Sequence, residues 1–247
     1  MIRFPHISNF TDPDTFEQLP EVSVRYVTSP EELLSPDLIL LPGTKNTIGD
    51  LRWLRTSGLA ERICREAAAG LPVIGICGGY QMLGRRISDP DHAECGGEEA
   101  GLGLLPADTV LGSEKVRTLF HGTIDGATGM LGDLCGKRVS GYEIHMGRTA
   151  VDAGTTPFTS GGTGCCRDNI YGSYIHGLFD EKEITQTLIG ALAGRKGKQV
   201  DMRNLLDYAA YKETQYDLLA AHLREHLDMD RIYEILGIQR GAPGDGT

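Results

Sequence analysis

One stretch constrains this chain more than any other: Leu71 to Arg85, reading LPVIGICGGYQMLGR. Val73 to Ile76 is a short apolar run with β-branched residues, the pattern of a strand buried on both faces. Cys77 follows at once, with Gly75 before it and Gly78 and Gly79 after it. From Tyr80 to Arg86 the chain reads as a helix, with Met82 and Leu83 on its apolar face. A strand that turns sharply into a helix, with a nucleophile at the corner and glycines around it, is a nucleophile elbow. The glycines are required because side chains next to a strained corner would collide. The corner places Cys77 at the amino end of a helix, where free backbone N–H groups favour negative charge. The N–H of Gly78 then points at the oxygen of a carbonyl under attack, as half of an oxyanion hole.

The segments around the elbow predict an α/β fold. Val22 to Val27 alternates like a half-buried strand, and Asp37 to Leu41 is an apolar strand. LPGTKNT (41–47) ends that strand with Pro42 and Gly43 and supplies capping residues. A single helix is expected from Ile48 to Ala69, closed by Gly70. Strand, helix, strand implies a right-handed crossover and parallel strands, with ligands bound at their carboxyl ends. Gly43 and Cys77 both lie there. Ser88 to Ala100 reads as a surface loop, and Ser113 to Gly122 as a strand carrying Arg117. Lys137 to Ile144 reads as a strand ending at His145, and Asn169 to Ile175 as one ending at His176. Glu181 to Ala193 and Asn204 to Leu236 are helical, the latter with Leu219, Leu223 and Leu227 at helical spacing. The last residues, 240–247, read as disordered. Three parts are expected: a linker-like segment 1–20, a domain 21–195, and a helical extension 196–247.

Composition removes several functions. The net charge of −10, without a basic cluster, argues against nucleic acid as a partner. No apolar run is long enough for a membrane span, and MIRFPHISNF lacks signal-peptide architecture. The six cysteines form no CxxC pair, so no metal site is expected, and all read as reduced thiols in a cytoplasm. A cysteine nucleophile needs an imidazole partner. Spacing alone does not choose between His145 and His176.

GICGGYQMLG resembles the nucleophile motif of the triad-type glutamine amidotransferases, with Gln81 in its place after Cys77. RFPHISNFTD, GYEIHMG (141–147) and YIHGLFD (174–180) narrow the resemblance to the C-terminal glutaminase domain of cobyric acid synthase. The resemblance implies a class I amidotransferase fold: a flavodoxin-like three-layer sandwich with a central, mostly parallel sheet, plus a C-terminal helical segment. It implies Cys77 and His176 as catalytic residues, with Gly43, Gly78, Gln81, Arg117 and His145 around the glutamine. Arg117 is either the fork that holds a carboxylate or a surface arginine. His145 either lines the site or is structural. The broader family has Glu two residues after the histidine, where Leu178 stands here. What orients His176 stays open among Asp180, Glu143, a backbone carbonyl and water.

The implied activity is glutamine hydrolysis, feeding ammonia to an ATP-dependent synthetase domain or subunit that holds the corrinoid acceptor, adenosylcobyrinic acid a,c-diamide. No GxxxxGK[ST] motif occurs, so ATP and magnesium are expected in that partner and no cofactor in this chain. Three alternatives remain: the glutaminase subunit of a cell-wall lipid II amidating ligase, a degenerate glutaminase-fold assembly subunit, and a cysteine hydrolase.

Overall fold

A computed structural model describes residues 1–201 and 207–238. The chain divides into two compact units, Met1–Leu206 and Asp207–Thr247. The elements of the first unit, in order, are α1 (Asp14–Glu17), β1 (Ile39–Leu41), α2 (Thr47–Thr56), α3 (Leu59–Ala68), β2 (Val73–Ile76), α4 (Gly78–Leu83), β3 (Arg86–Asp89), β4 (Gly97–Ala100), β5 (Ala107–Thr123), β6 (Arg138–Val151), β7 (Thr156–Pro157), β8 (Gly164–Arg167), β9 (Ile170–Ser173), β10 (Ile175–His176) and α5 (Lys182–Arg195).

Two five-stranded sheets result, ordered β1-β2-β9-β8-β7 and β10-β6-β5-β3-β4. In the first, β1, β2 and β9 run parallel and β8 and β7 continue antiparallel. Side chains alternate across these strands. Ile39, Leu41 and Val73 face one apolar cluster with Leu51, Leu54 and Ile63 of α2 and α3. Leu40, Ile74 and Ile76 face another with Ile184 and Leu188 of α5. Helices thus cover both faces of the parallel strands, the α/β arrangement expected from the strand–helix–strand order. Each fully buried leucine or isoleucine here contributes about 1.5–3 kcal/mol.

The chain changes sheets at Tyr174. Residues 170–173 pair with β2, and residues 175–176 pair with β6. The one strand expected up to residue 175 is therefore two short ones. This switch carries His176 off the first sheet and across to the end of β2, where Cys77 begins the elbow.

Other expectations are corrected. The helix from 48 to 69 is two helices, broken where Gly58 takes a φ of 80°. Such a left-handed residue ends one helix and re-aims the next. Val22 to Val27 forms no strand; only Val27 bridges, to Ile2. Its apolar residues instead line a cavity of about 390 Å³, Val22 and Val24 beside Leu38 and Leu192. The loop expected at 88–100 contains the β3–β4 hairpin, whose bend is tied by buried Asp89 accepting the N–H groups of Ala93, Glu94 and Gly96. β6 does not end at His145 but runs on to Val151.

The segment expected as a linker, 1–20, is part of the first unit's core. Ile2 and Phe4 are buried in one apolar cluster, and Phe16 and Leu19 in the other. Backbone bonds from Ile2 N to Leu40 O and from Ser8 N to Gly43 O, both 2.9 Å, lay the segment along β1 and its following loop.

The second unit holds α6 (Tyr208–His226) and α7 (Met229–Ile235), capped by the side chains of Asp207 and Asp228. Leu219, Leu223 and Leu227 are exposed. The tail at 240–247 lies outside the described residues. No helix among the described residues is long and apolar enough to cross a membrane.

Candidate active site

Cys77 is the corner between β2 and α4, with φ 53° and ψ −113°. A left-handed φ is uncommon for a residue with a Cβ and marks a constrained turn. The turn works because the next residues are glycines. A Cβ on Gly79 would stand 2.0 Å from the carbonyl oxygen of Leu41, so α4 starts flush against β1 only with glycine there. Gly78 is the first residue of α4, whose N–H has no partner within the helix. A Cβ on Gly78 would meet Thr44, and one on Gly43 would come within 3.2 Å of His176 Cε1. The 43–44 loop, the elbow and the imidazole therefore converge on one point. Cys77 is 8% exposed, so its sulfur is sheltered but reachable. Its Sγ lies 3.6 Å from Ile144 O.

His176 is buried between two partners from the N-terminal segment. Its Nδ1 lies 2.9 Å from Asp12 Oδ2. Asp12 Oδ1 accepts the N–H of Gly177 at 2.9 Å. Its Nε2 lies 3.1 Å from Nδ2 of Asn9. The Tyr142 ring stacks on the imidazole, with centroids 5.3 Å apart. Burial pulls the His176 pKa down, but the bond to Asp12 and the nearby Cys77 sulfur outweigh it and raise the value to about 9. At neutral pH the ring is protonated, with Nδ1–H donating to Asp12.

The sequence does not single out Asp12 or Asn9. Their signal is RFPHISNFTD itself, a segment with no periodic structure yet specific enough to carry a resemblance. Neither Asp180 nor Glu143 holds Nδ1. Glu143 instead stands 3.9 Å from His145 Nε2.

The remaining expected residues fall into two groups. Gly43 and Gly78 border the site, and Arg117 stands on the neighbouring strand. Arg117 on β5 is exposed and in register with Ile144, so both side chains share the sheet face on which Tyr142 and His176 lie. Gln81 and His145 are packed behind it. Gln81 is 3% exposed, and its Nε2 donates to Met146 O at 3.0 Å and to Tyr174 OH at 3.1 Å. Its Oε1 accepts from Thr47 Oγ1 at 3.3 Å. Both amide hydrogens are used within the protein, so Gln81 joins α4 to β6 and α2 and leaves no N–H for a ligand. His145 stacks on Tyr174 with centroids 3.7 Å apart, and burial pushes its pKa below the usual imidazole value. Of the two histidines left open, His176 is the one held beside the sulfur.

All six cysteines are free thiols. Burial raises Cys64, Cys165 and Cys166 above the ordinary thiol value. Cys77 is the one set in an elbow with an imidazole.

Known proteins share this architecture. The model of the CobB/CobQ-like glutamine amidotransferase domain matches residues 1–184, the N-terminal segment included. A cobyric acid synthase of Photorhabdus laumondii is 47% identical over 254 residues, covering 97% of this chain and 49% of that protein. One of Ruminiclostridium cellulolyticum is 44% identical over 254 residues, covering 98% of this chain and 49% of that protein. The chain spans about half the length of these curated relatives. Among solved structures, PurLQS from Thermotoga maritima shares the fold with a TM-score of 0.58 at 16% identity, over 79% of this chain and 96% of that chain. A glutamine amidotransferase does so with a TM-score of 0.56 at 16% identity, over 76% and 95%.

Proposed function

Because the chain belongs to the family of CobB/CobQ-like glutamine amidotransferase domains, we propose that it hydrolyses glutamine through a thioester on Cys77. The ammonia would serve the ATP-dependent amidation of adenosylcobyrinic acid a,c-diamide by a synthetase half, in cobalamin biosynthesis. ATP and magnesium belong to that half and not to this chain's site. Free thiols at all six cysteines suit the cytoplasm.

In the first step the Cys77 sulfur, as the thiolate paired with protonated His176, attacks the side-chain amide carbon of glutamine, and the C–O π pair moves to oxygen. The N–H groups of Gly43 and Gly78 receive the oxyanion. The oxyanion collapses, the C–N bond breaks, and His176 Nε2–H gives its proton to the departing nitrogen as ammonia forms. A water then attacks the γ-glutamyl thioester, its proton passing to Nε2. The C–S bond breaks and glutamate leaves. Asp12 keeps Nδ1–H in place throughout, so that Nε2 is the nitrogen that exchanges protons. Arg117 offers a fork to the α-carboxylate of glutamine.

The observation that carries this reading is the Asp12–His176 pair beside Cys77. It supports a working site over a degenerate one despite Leu178, and the relatives' shared name favours the cobyric acid reading over the cell-wall ligase. The test is glutamate release from glutamine by the chain and by Cys77→Ala. Each is assayed alone and with a cobyric acid synthetase domain, acceptor and ATP. Loss in Cys77→Ala supports the mechanism. A Cys77→Ala protein as active as the wild type would overturn it.

A further inference from the structure

His176 has two nitrogens, and both are held. Asp12 takes Nδ1 at 2.9 Å. That leaves Nε2 as the nitrogen able to trade a proton with Cys77 or with a leaving amine. Yet Nε2 also lies 3.1 Å from the side-chain amide of Asn9. The backbone is arranged to bring that amide there. Ser8 N is tied to Gly43 O on one side of Asn9, and Asp12 is tied to His176 and Gly177 on the other. Between these ties Asn9 takes a φ of 51°, a left-handed conformation that asparagine tolerates better than most residues. The next residue, Phe10, is 60% exposed, so the turn's outer side is open to solvent. Around the imidazole stand Asp12, Cys77, His145 and the stacked Tyr142 ring.

We propose that Asn9 is a positioning residue that caps Nε2 of His176, and that this cap must open in each turnover. The proposal rests on the glutaminase reading for its effect on turnover, but not for its effect on the sulfur. The Asn9 atom that stands at Nε2 is its Nδ2. Against a protonated ring two donors would meet, so the amide turns over, presents its oxygen, and Nε2–H donates to it. Sulfur, leaving amine and Asn9 then compete for one N–H. A cap of this kind slows the step it covers by the weight of one hydrogen bond. Removing it speeds that step by about threefold to tenfold. Replacing the amide by a carboxylate does the opposite, since a charge-assisted bond holds the same N–H more firmly.

The experiment compares the full chain with Asn9→Ala and Asn9→Asp, after thermal unfolding has shown that both fold. Two rates are read. One is glutamate release from glutamine, with Cys77→Ala as control. The other is alkylation of Cys77 by iodoacetamide at pH 7, followed by mass spectrometry of its peptide, with exposed Cys95 and Cys135 as internal references. The expected result is opposite signs: Asn9→Ala raises both rates about threefold or more, and Asn9→Asp lowers both. A purely structural role moves the two variants in the same direction and overturns the proposal, as does alkylation unchanged in both. If the alkylation rates split as expected while no protein releases glutamate, Asn9 keeps its role and the glutaminase reading falls. If Cys77→Ala abolishes release but Asn9→Ala slows it, the reading stands and the cap does not.

Discussion

Asp12 and His176 are 164 residues apart in the chain and 2.9 Å apart in the fold. The carboxylate is bound at both oxygens, one by the imidazole Nδ1 and one by the N–H of the residue after it. It therefore fixes the ring and the backbone that carries the ring. Asp12 is 2% exposed and His176 is 0% exposed, so this pair is an internal part of the site.

Asp12→Asn tests the pair directly. An amide at this place can accept from only one of the two N–H groups, and it removes the charge that keeps His176 protonated. We expect glutamate release to fall on the order of 10²-fold or more, as for other histidines left in the wrong tautomer. The alkaline limit of the remaining activity should drop from near 9 toward the ordinary imidazole value of 6.5. A variant with the wild-type rate and pH profile would remove Asp12 from the mechanism.

The same pair sets a pH window for the wild type. His176 is raised from 6.5 to about 9. A group raised on folding contributes stability that is complete below its unfolded pKa and is lost as the pH climbs through its folded one. The contribution is therefore full below about 6.5 and fades between there and 9. Chemical denaturation across pH 6 to 10 should show this loss in the wild type, and a much weaker one in Asp12→Asn. The activity profile should fall on its alkaline side near pH 9. A midpoint near 6.5 would mean that the charge on Asp12 does not reach the ring.

Much of this site is legible in the chain because its key elements are local. The elbow is one continuous stretch, and an apolar run, a cysteine and flanking glycines specify it without any distant contact. His176 is legible only through its motif, since nothing in its spacing separates it from His145. Asp12 and Asn9 are legible only as members of the RFPHISNFTD stretch, which gives neither of them a role. They lie in a segment with neither helical nor strand period, whose place is set by Ile2, Phe4 and Phe16 packing into two separate clusters. Tertiary burial, not local propensity, decides where such a segment lies. The break at Gly58 is not legible for a related reason: the apolar spacing of Leu51, Leu54, Leu59 and Ile63 fits one helix as well as two.

Gln81 separates a ligand contact from a brace. Its amide satisfies Met146 O, Tyr174 OH and Thr47 Oγ1, all in the interior. Gln81→Leu removes one hydrogen bond from each, although Thr47 Oγ1 keeps Glu94 and Tyr174 OH keeps Thr149, and should cost about 1–3 kcal/mol in chemical denaturation. The KM for glutamine should change less than twofold in protein that remains folded. A stable Gln81→Leu protein with a KM raised tenfold or more would return Gln81 to the substrate.

Leu178 occupies the position where the broader family carries its glutamate, and the fold explains why glutamate would not serve there. The side chain is 2% exposed and belongs to the apolar cluster of Phe16, Phe179, Ile184 and Leu188. A carboxylate among these groups has no cationic partner, and an uncompensated buried charge costs roughly 3–5 kcal/mol. Nδ1 of His176 is already taken by Asp12. Leu178→Glu alone should therefore lower the unfolding temperature without raising activity. Combined with Asp12→Asn it should fail to restore either the rate or the alkaline limit near 9. The comparison to make is glutamate release by Asp12→Asn and by the double variant, both assayed below their unfolding temperatures. Recovery of tenfold or more, with the alkaline limb moving back up, would show that residue 178 reaches the imidazole and that Asp12 is one of two interchangeable anchors. No recovery leaves the N-terminal segment as the source of the carboxylate that orients His176.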